Sequence, residues 1–471
     1  MKRLEKLFLQ VTGCAAQSVV PLTPAGSNRQ YFRLTADGRS LVGVVGTSLD
    51  ENEAFLAIDR QLYGKGLGVP QVMAVSDDRL CYLQEDLGDV SLFDLIRVGE
   101  ADDLLVKTLR ALPRIQFLGA EGFDFSRCYP LPSLDRRCVM WDLNYFKYCF
   151  LKPCGVDFSE PLLEDDFEHL ADLLLKEQGD TFMYRDFQSR NVMVKEGEPR
   201  FIDFQGGRRG PIYYDVASFL WQARAGFSAA QRDALIDVYL DALQPFRPTA
   251  REAFVRQLRF FVLFRLLQVL GAYGYRGWFE RKAHFLQSIP MAVESLGREL
   301  TAGYEGLPYL TALLRQVVAL PRFAPVAASE GLTVDVCSFS YRRGFPEDTS
   351  DNGGGFVFDC RAIHNPGRYE AYKASTGHDD DVVAFLDATE GMARFLDKVY
   401  ALVDQSVERY LARGFTHLSV AFGCTGGQHR SVYAADHLAA HLAACWPQVN
   451  VRLTHREQPQ LNDGASPSAD Q

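Results

Sequence analysis

The chain has 471 residues, 47% of them apolar and 23% charged, with a formal net charge of -10. That length exceeds one ordinary core and predicts two or three globular domains, and the acidic balance argues against a general RNA- or DNA-binding protein. Its ten cysteines form no C-x-x-C pair, which predicts reduced thiols in a cytoplasmic setting and no thiolate metal site.

In chain order, residues 1–10 predict an amphipathic first helix: Glu5, Lys6 and Gln10 break an apolar run too short for a signal peptide, although Val11-Thr12-Gly13-Cys14 faintly resembles a lipoprotein cleavage site. No apolar stretch reaches the length of a bilayer span, so no membrane partner is expected. Residues 19–85 read as a small β-rich lobe, with strands at 31–34, 41–45 and 80–84 and a helix at 52–62. From 92 to about 320 the spacing is helical, interrupted by a strand pair at 191–194 and 199–204. Residues 321–331, rich in Pro and Ala, read as a linker. Four strands near 333–339, 356–360, 417–422 and 449–453, with long helices at 381–413 and 431–444, then predict an α/β domain. The polar tail predicts disorder from about 458.

The most informative segment is Tyr184-Arg185-Asp186-Phe187-Gln188-Ser189-Arg190-Asn191, followed by Phe201-Ile202-Asp203-Phe204-Gln205. Phosphoryl transfer needs a carboxylate beside the attacking hydroxyl and oxygen ligands for Mg²⁺ on the nucleotide phosphates. Asp186 suits the first role; Asn191 and Asp203 suit the second. An Asx-rich turn is the plain alternative.

This segment resembles the catalytic and metal loops of the aminoglycoside-phosphotransferase (choline-kinase-like) family, H-G-D-x-x-x-x-N then I-D-F/W, with Tyr184 and Arg185 in place of His and Gly. With Gly210-Pro211-Ile212-Tyr213-Tyr214-Asp215-Val216-Ala217-Ser218 it is similar to the amino-sugar kinase branch of that family. The resemblance implies an α+β, bilobal protein-kinase-like fold (N-lobe 1–88, C-lobe 89–320), ATP and Mg²⁺ as cofactors, and a sugar or amino-sugar substrate such as N-acetylmuramate or N-acetylglucosamine. Asp215 and Arg190 would support the loops. The turn holding Ser27, Asn28 and Arg29 would cover the phosphates, and Glu85 with Leu87 would form the adenine hinge; an ordinary hairpin and a strand-to-helix turn are the alternatives at those two places. The nucleotide-gripping lysine is missing from residues 41–46, so Arg29 or Arg33 would carry its charge, and Glu53 has no evident partner. Trp141, Asp142, Asn144 and Tyr145 offer acceptor-pocket surface.

In the last domain an apolar strand enters Cys424-Thr425-Gly426-Gly427-Gln428-His429-Arg430-Ser431 and then a helix, an arrangement whose free N–H groups and Arg430 suit a phosphate. With Ser338–Pro346, Phe356–Pro366, Ser375–Leu386 and the pair His455 and Arg456, it resembles the C-terminal domain of the RNase adapter RapZ, a family associated with sensing glucosamine 6-phosphate. The resemblance implies a smaller α/β domain with a mostly parallel sheet at 332–457, binding a phosphorylated sugar or nucleotide through Thr425, Gly426, Gly427, His429 and Arg430. Gly367 and Arg368 stand where that family has a histidine. Cys424 and Arg430 also share the C-x-x-x-x-x-R spacing of cysteine-dependent phosphatases, an alternative to a buried thiol. A catalytically weak metabolite sensor is the alternative for the whole chain, and an RNA or protein partner gains no support from charge. His378-Asp379-Asp380-Asp381 reads as a helix start rather than a metal cluster.

Overall fold

The computed structural model describes residues 1–22, 29–177, 179–323, 331–346 and 355–458. The chain divides into two compact units, Met1–Ala324 and Pro325–Gln471.

The first unit opens with the helix Lys2–Thr12, where Leu4, Leu7 and Phe8 fall at the i, i+3, i+4 spacing of one apolar face. That face covers one side of an antiparallel sheet, burying Leu34, Leu41 and Leu83. The sheet has the order β1-β2-β3-β5-β4: β1 Ser18–Leu22, β2 Gln30–Ala36, β3 Arg39–Val45, β4 Val72–Val75 and β5 Cys81–Glu85. Sequence reading missed β1 and β4, which are short edge strands with few buried side chains. On the other side lies the helix Leu49–Gly64, whose Ser48 N-cap accepts from the Glu51 N–H.

The following lobe is helical. Its centre is the 24-residue helix Arg251–Gly274, buried on several sides. Gly274 is required there by close approach: a Cβ would meet the Cys149 carbonyl oxygen at 2.2 Å. Two β-ribbons interrupt the helices. β6 (Thr181–Met183) pairs with β9 (Arg208–Gly210), and β7 (Val192–Lys195) with β8 (Glu198–Phe201). The first ribbon was not expected, because three-residue strands carry no readable period. It positions the candidate site, since residues 184–191 leave directly from β6.

The second unit is an α/β layer. Its four parallel strands run in the order β11-β12-β10-β13: β10 Thr333–Ser340, β11 Gly355–Asp359, β12 His417–Cys424 and β13 Asn450–His455. Val334, Val336, Leu418, Val420 and Phe422 supply its buried rows. The helix expected at 381–413 is two helices, Asp380–Asp387 and Glu390–Ala412, broken at Ala388 and Thr389. Asp380 and Asp381 fill the first turn of the former, and no group of three or more metal-ligating side chains occurs among the described residues. No described helix is long and apolar enough to cross a membrane.

Candidate active site and anion loop

The loop that follows β6, residues 184–191, is held from beneath by Asp215. This side chain, fully buried in the first turn of the helix Tyr213–Leu220, accepts from the Tyr184 N–H at 2.8 Å and the Arg185 N–H at 2.9 Å. Burial raises its carboxyl to about 7 against the pull of those two bonds. Arg185 stands where the resembled family has glycine, and its φ of +79° shows why glycine suits the position. Here the strained residue is clamped instead: its guanidinium pairs with Asp142 at 2.6 Å and lies over the Tyr214 ring at 5.2 Å. Tyr184, in the histidine place, donates to the Ile202 carbonyl at 2.6 Å and so ties the 184–191 loop to the 201–205 segment.

Asp186, Asn191 and Asp203 come together. Asn191 Nδ2 donates to the Asp186 carbonyl at 2.8 Å and lies 3.3 Å from Asp203 Oδ2, while Gln205 Nε2 donates to Asp203 Oδ1 at 2.8 Å. Burial first, and the Asp186 charge second, push the Asp203 carboxyl above its ordinary range; Gln205, Arg190 and Arg29 offset part of this. Behind the metal loop runs a buried aromatic column: Tyr184 to Phe204 at 6.2 Å, Phe204 to Phe55 at 4.9 Å, Phe55 to Tyr82 at 4.7 Å. It joins both loops to the N-lobe helix and to β5.

Asp186, Asn191, Asp203 and Gln205 line one cleft of about 870 Å³, together with Phe204, Phe55 and Tyr82 of the column. Arg29 enters it buried, paired with Glu51 at 3.3 Å. Arg33 lines it too and is paired with Asp86 at 2.7 Å and Asp89 at 2.8 Å. Leu87 lines the cleft. Glu85 also does, yet its N–H is taken by the Gln71 carbonyl at 2.9 Å and its carboxylate by Lys195 at 2.6 Å. Ser27 and Asn28 lie outside the described residues. Arg190 faces the cleft. Glu53 does have a partner: Arg79 pairs with it, well away along the chain in the β4–β5 turn. Of the acceptor-pocket candidates, Asp142 and Tyr145 share the lining face and Trp141 and Asn144 do not. Sequence reading missed Arg265 and Gln268, which line the same cleft from the long helix Arg251–Gly274, where they read as interruptions of an apolar period.

In the second unit, β12 runs into the loop at Cys424 and the helix Arg430–Cys445 begins behind it. Thr425 and Gly426 are exposed, and Gly427 turns with φ +70°. Cys424 Sγ accepts from the Gly427 N–H at 3.2 Å and lies 3.1 Å from Ser431 Oγ. Burial pushes the Cys424 thiol up, but the bonds from Ser431 and Gly427 and the Arg430 charge outweigh it and hold the thiol below its ordinary value. Arg430 is buried, and its Nη1 donates to the Arg361 carbonyl at 3.0 Å and the Ile363 carbonyl at 2.8 Å. His429 Nε2 meets the Tyr372 carbonyl at 2.8 Å. His455 bridges Ser338 at 3.0 Å and Asp436 at 3.0 Å, which makes it part of the framework of β10, β13 and the helix.

The first unit thus combines a protein-kinase-like order of elements with the loops of a kinase that phosphorylates an alcohol group. Residues 18–252 form a domain of the phosphotransferase enzyme family, and residues 332–459 form a RapZ C-terminal domain. The chain is 27% identical over 315 residues to an N-acetylmuramate/N-acetylglucosamine kinase of Pseudomonas aeruginosa, a match covering 65% of this chain and 89% of that one. It is 39% identical over 145 residues to a nucleotide-binding protein of Ruegeria pomeroyi, covering 31% of this chain. The chain spans about half, 48%, of that second relative's length. Among solved structures, a choline kinase of Cryptosporidium parvum aligns over 63% of this chain and 93% of its own, with 13% identity and a TM-score of 0.44.

Proposed function

We propose that the chain is an ATP- and Mg²⁺-dependent cytoplasmic kinase for a sugar or amino sugar of the N-acetylmuramate/N-acetylglucosamine type, joined to a unit that binds a phosphorylated sugar or nucleotide. The observation that carries the reading is the convergence of Asp186, Asn191 and Asp203 in one cleft. Asp186 accepts the proton of the acceptor hydroxyl as its oxygen bonds to phosphorus. The metal-loop residues fit a divalent cation: Asn191 spends its amide N–H on Asp186, leaving its oxygen as a ligand, and Asp203 is a buried carboxyl crowded by a second one. Mg²⁺ held by Asn191 and Asp203 would neutralise charge on the nucleotide phosphates. Arg29 and Arg190 add fixed positive charge near Asp203, Leu87 gives the adenine an apolar wall, and Asp215 fixes the loop.

Measuring ADP release across a panel of amino sugars tests this, beside Asp186→Asn and Asp203→Ala. Each variant should lower kcat by about 10²-fold or more. Unchanged turnover in either variant sinks the site assignment. A sensor reading predicts ligand binding without ADP release from the same panel. For the second unit, the lowered Cys424 thiol favours the cysteine-dependent phosphatase as a second reading; hydrolysis of p-nitrophenyl phosphate, lost in Cys424→Ser, decides it.

A further inference from the structure

Arg265 sits in the middle of the buried helix Arg251–Gly274 and is only 8% exposed. Burying a guanidinium is costly unless something takes its charge. Its two hydrogen-bond acceptors are neutral. Nε donates to the hydroxyl of Ser218 at 3.1 Å, and Nη1 donates to the amide oxygen of Gln268 at 2.6 Å. Gln268 is itself fixed, accepting from the Tyr214 hydroxyl and donating to Asp142 Oδ2 at 3.0 Å. The carboxylate of Asp142 is already paired with Arg185. Neutral groups therefore aim Arg265, and its charge is matched loosely by Asp186 across the cleft.

The remaining nitrogen, Nη2, lies 3.7 Å from Asp186 Oδ1, beyond hydrogen-bond range, and both side chains line the cleft. Asp186 is the more open of the two, with 43% of its side chain exposed. A substrate oxygen seated against Asp186 is also within reach of Arg265 Nη2. We propose that Arg265 is a catalytic residue, its Nη2 donating to an oxygen of the phosphoryl group in transfer. The acceptor oxygen bonds to phosphorus as its proton passes to Asp186. The bond from phosphorus to the bridging oxygen breaks, and ADP leaves with that electron pair. Negative charge spread over the phosphoryl oxygens is met by Arg265 from the helical lobe, which supplies a cation that residues 41–46 lack. This role rests on the kinase reading above.

Turnover with N-acetylmuramate and N-acetylglucosamine is compared in the full chain, Arg265→Gln and Arg265→Ala, alongside titration with a fluorescent ATP analogue. Arg265→Gln should lose about 10²-fold in kcat while nucleotide affinity stays within about threefold. Added guanidinium should restore part of the Arg265→Ala loss. A kcat within about threefold of the parent, or a loss that merely tracks nucleotide binding, overturns the proposal. Should both variants fail to fold, the unaltered protein decides: the Arg265 side-chain ¹⁵N resonance should shift with ADP–aluminium fluoride and acceptor but not with ADP alone, and no such shift overturns it. Absence of ADP release from the parent protein with every acceptor would defeat the kinase reading itself, and this proposal with it. Activity that survives in the variants defeats only the proposal.

Discussion

Asp59 should give the first unit an inverted pH dependence of stability. It lies 5% exposed on the inner face of the helix Leu49–Gly64, with Oδ1 unpartnered among the described residues and only the Val72 N–H as a backbone donor. Burial raises its carboxyl to about 7, partly offset by that N–H and by Arg60. In the unfolded chain the same group titrates near 3.9, so between about pH 4 and 7 the folded state holds a proton that the unfolded state has released. Stability then falls as pH rises through this window and levels off above it. Each pH unit inside the window is worth about 1.4 kcal/mol, which makes the loss from pH 5 to pH 8 about 2.5 kcal/mol from Asp59 alone. Asp215, also raised to about 7, adds a fall of the same sign. Urea unfolding of Asp59→Asn and its parent at pH 5, 6, 7 and 8 measures this. A Trp446→Phe background leaves Trp141, Trp221 and Trp278 to report on the first unit. The stability difference between the two should grow by about 2.5 kcal/mol in favour of Asp59→Asn over that range. Parallel pH profiles would refute the reasoning.

Phe55→Ala, which empties the middle of the aromatic column, should cost about 3–5 kcal/mol by urea unfolding and lower kcat as well. Ser431→Ala removes a donor to Cys424, so the pH midpoint of iodoacetamide alkylation at that thiol should move upward; an unmoved midpoint would show that Ser431 does not stabilise the thiolate. Asp142→Ala frees Arg185, a side chain held at a left-handed backbone, and should slow turnover by about tenfold or more with little change in the far-UV spectrum.

Much of this architecture was readable because chemistry fixed the spacing. Asp186, Asn191 and Asp203 had to stand at intervals that one turn and one ribbon can bring together, and the four strands of the second unit carry short stretches in which apolar residues recur at strand spacing. The network beneath them was not readable. Arg265 lies 79 residues beyond Asp186, and Arg265 and Gln268 enter the cleft only because the long helix passes behind the catalytic loop. Arg79 pairs with Glu53 through a turn whose position depends on the unpredicted edge strand β4. Local patterns report a residue's own element; contacts between distant elements arise only from packing.

The column Tyr184–Phe204–Phe55–Tyr82 ties the 201–205 segment to the N-lobe sheet by packed rings, edge-on at Tyr184 and stacked beyond it, rather than by a flexible tether. Partial melting of that small sheet would displace Asp203 while the large helical lobe still stood. On gradual warming, phosphate transfer should therefore fade ahead of the main unfolding transition, so the enzyme's working ceiling is set by its smallest lobe.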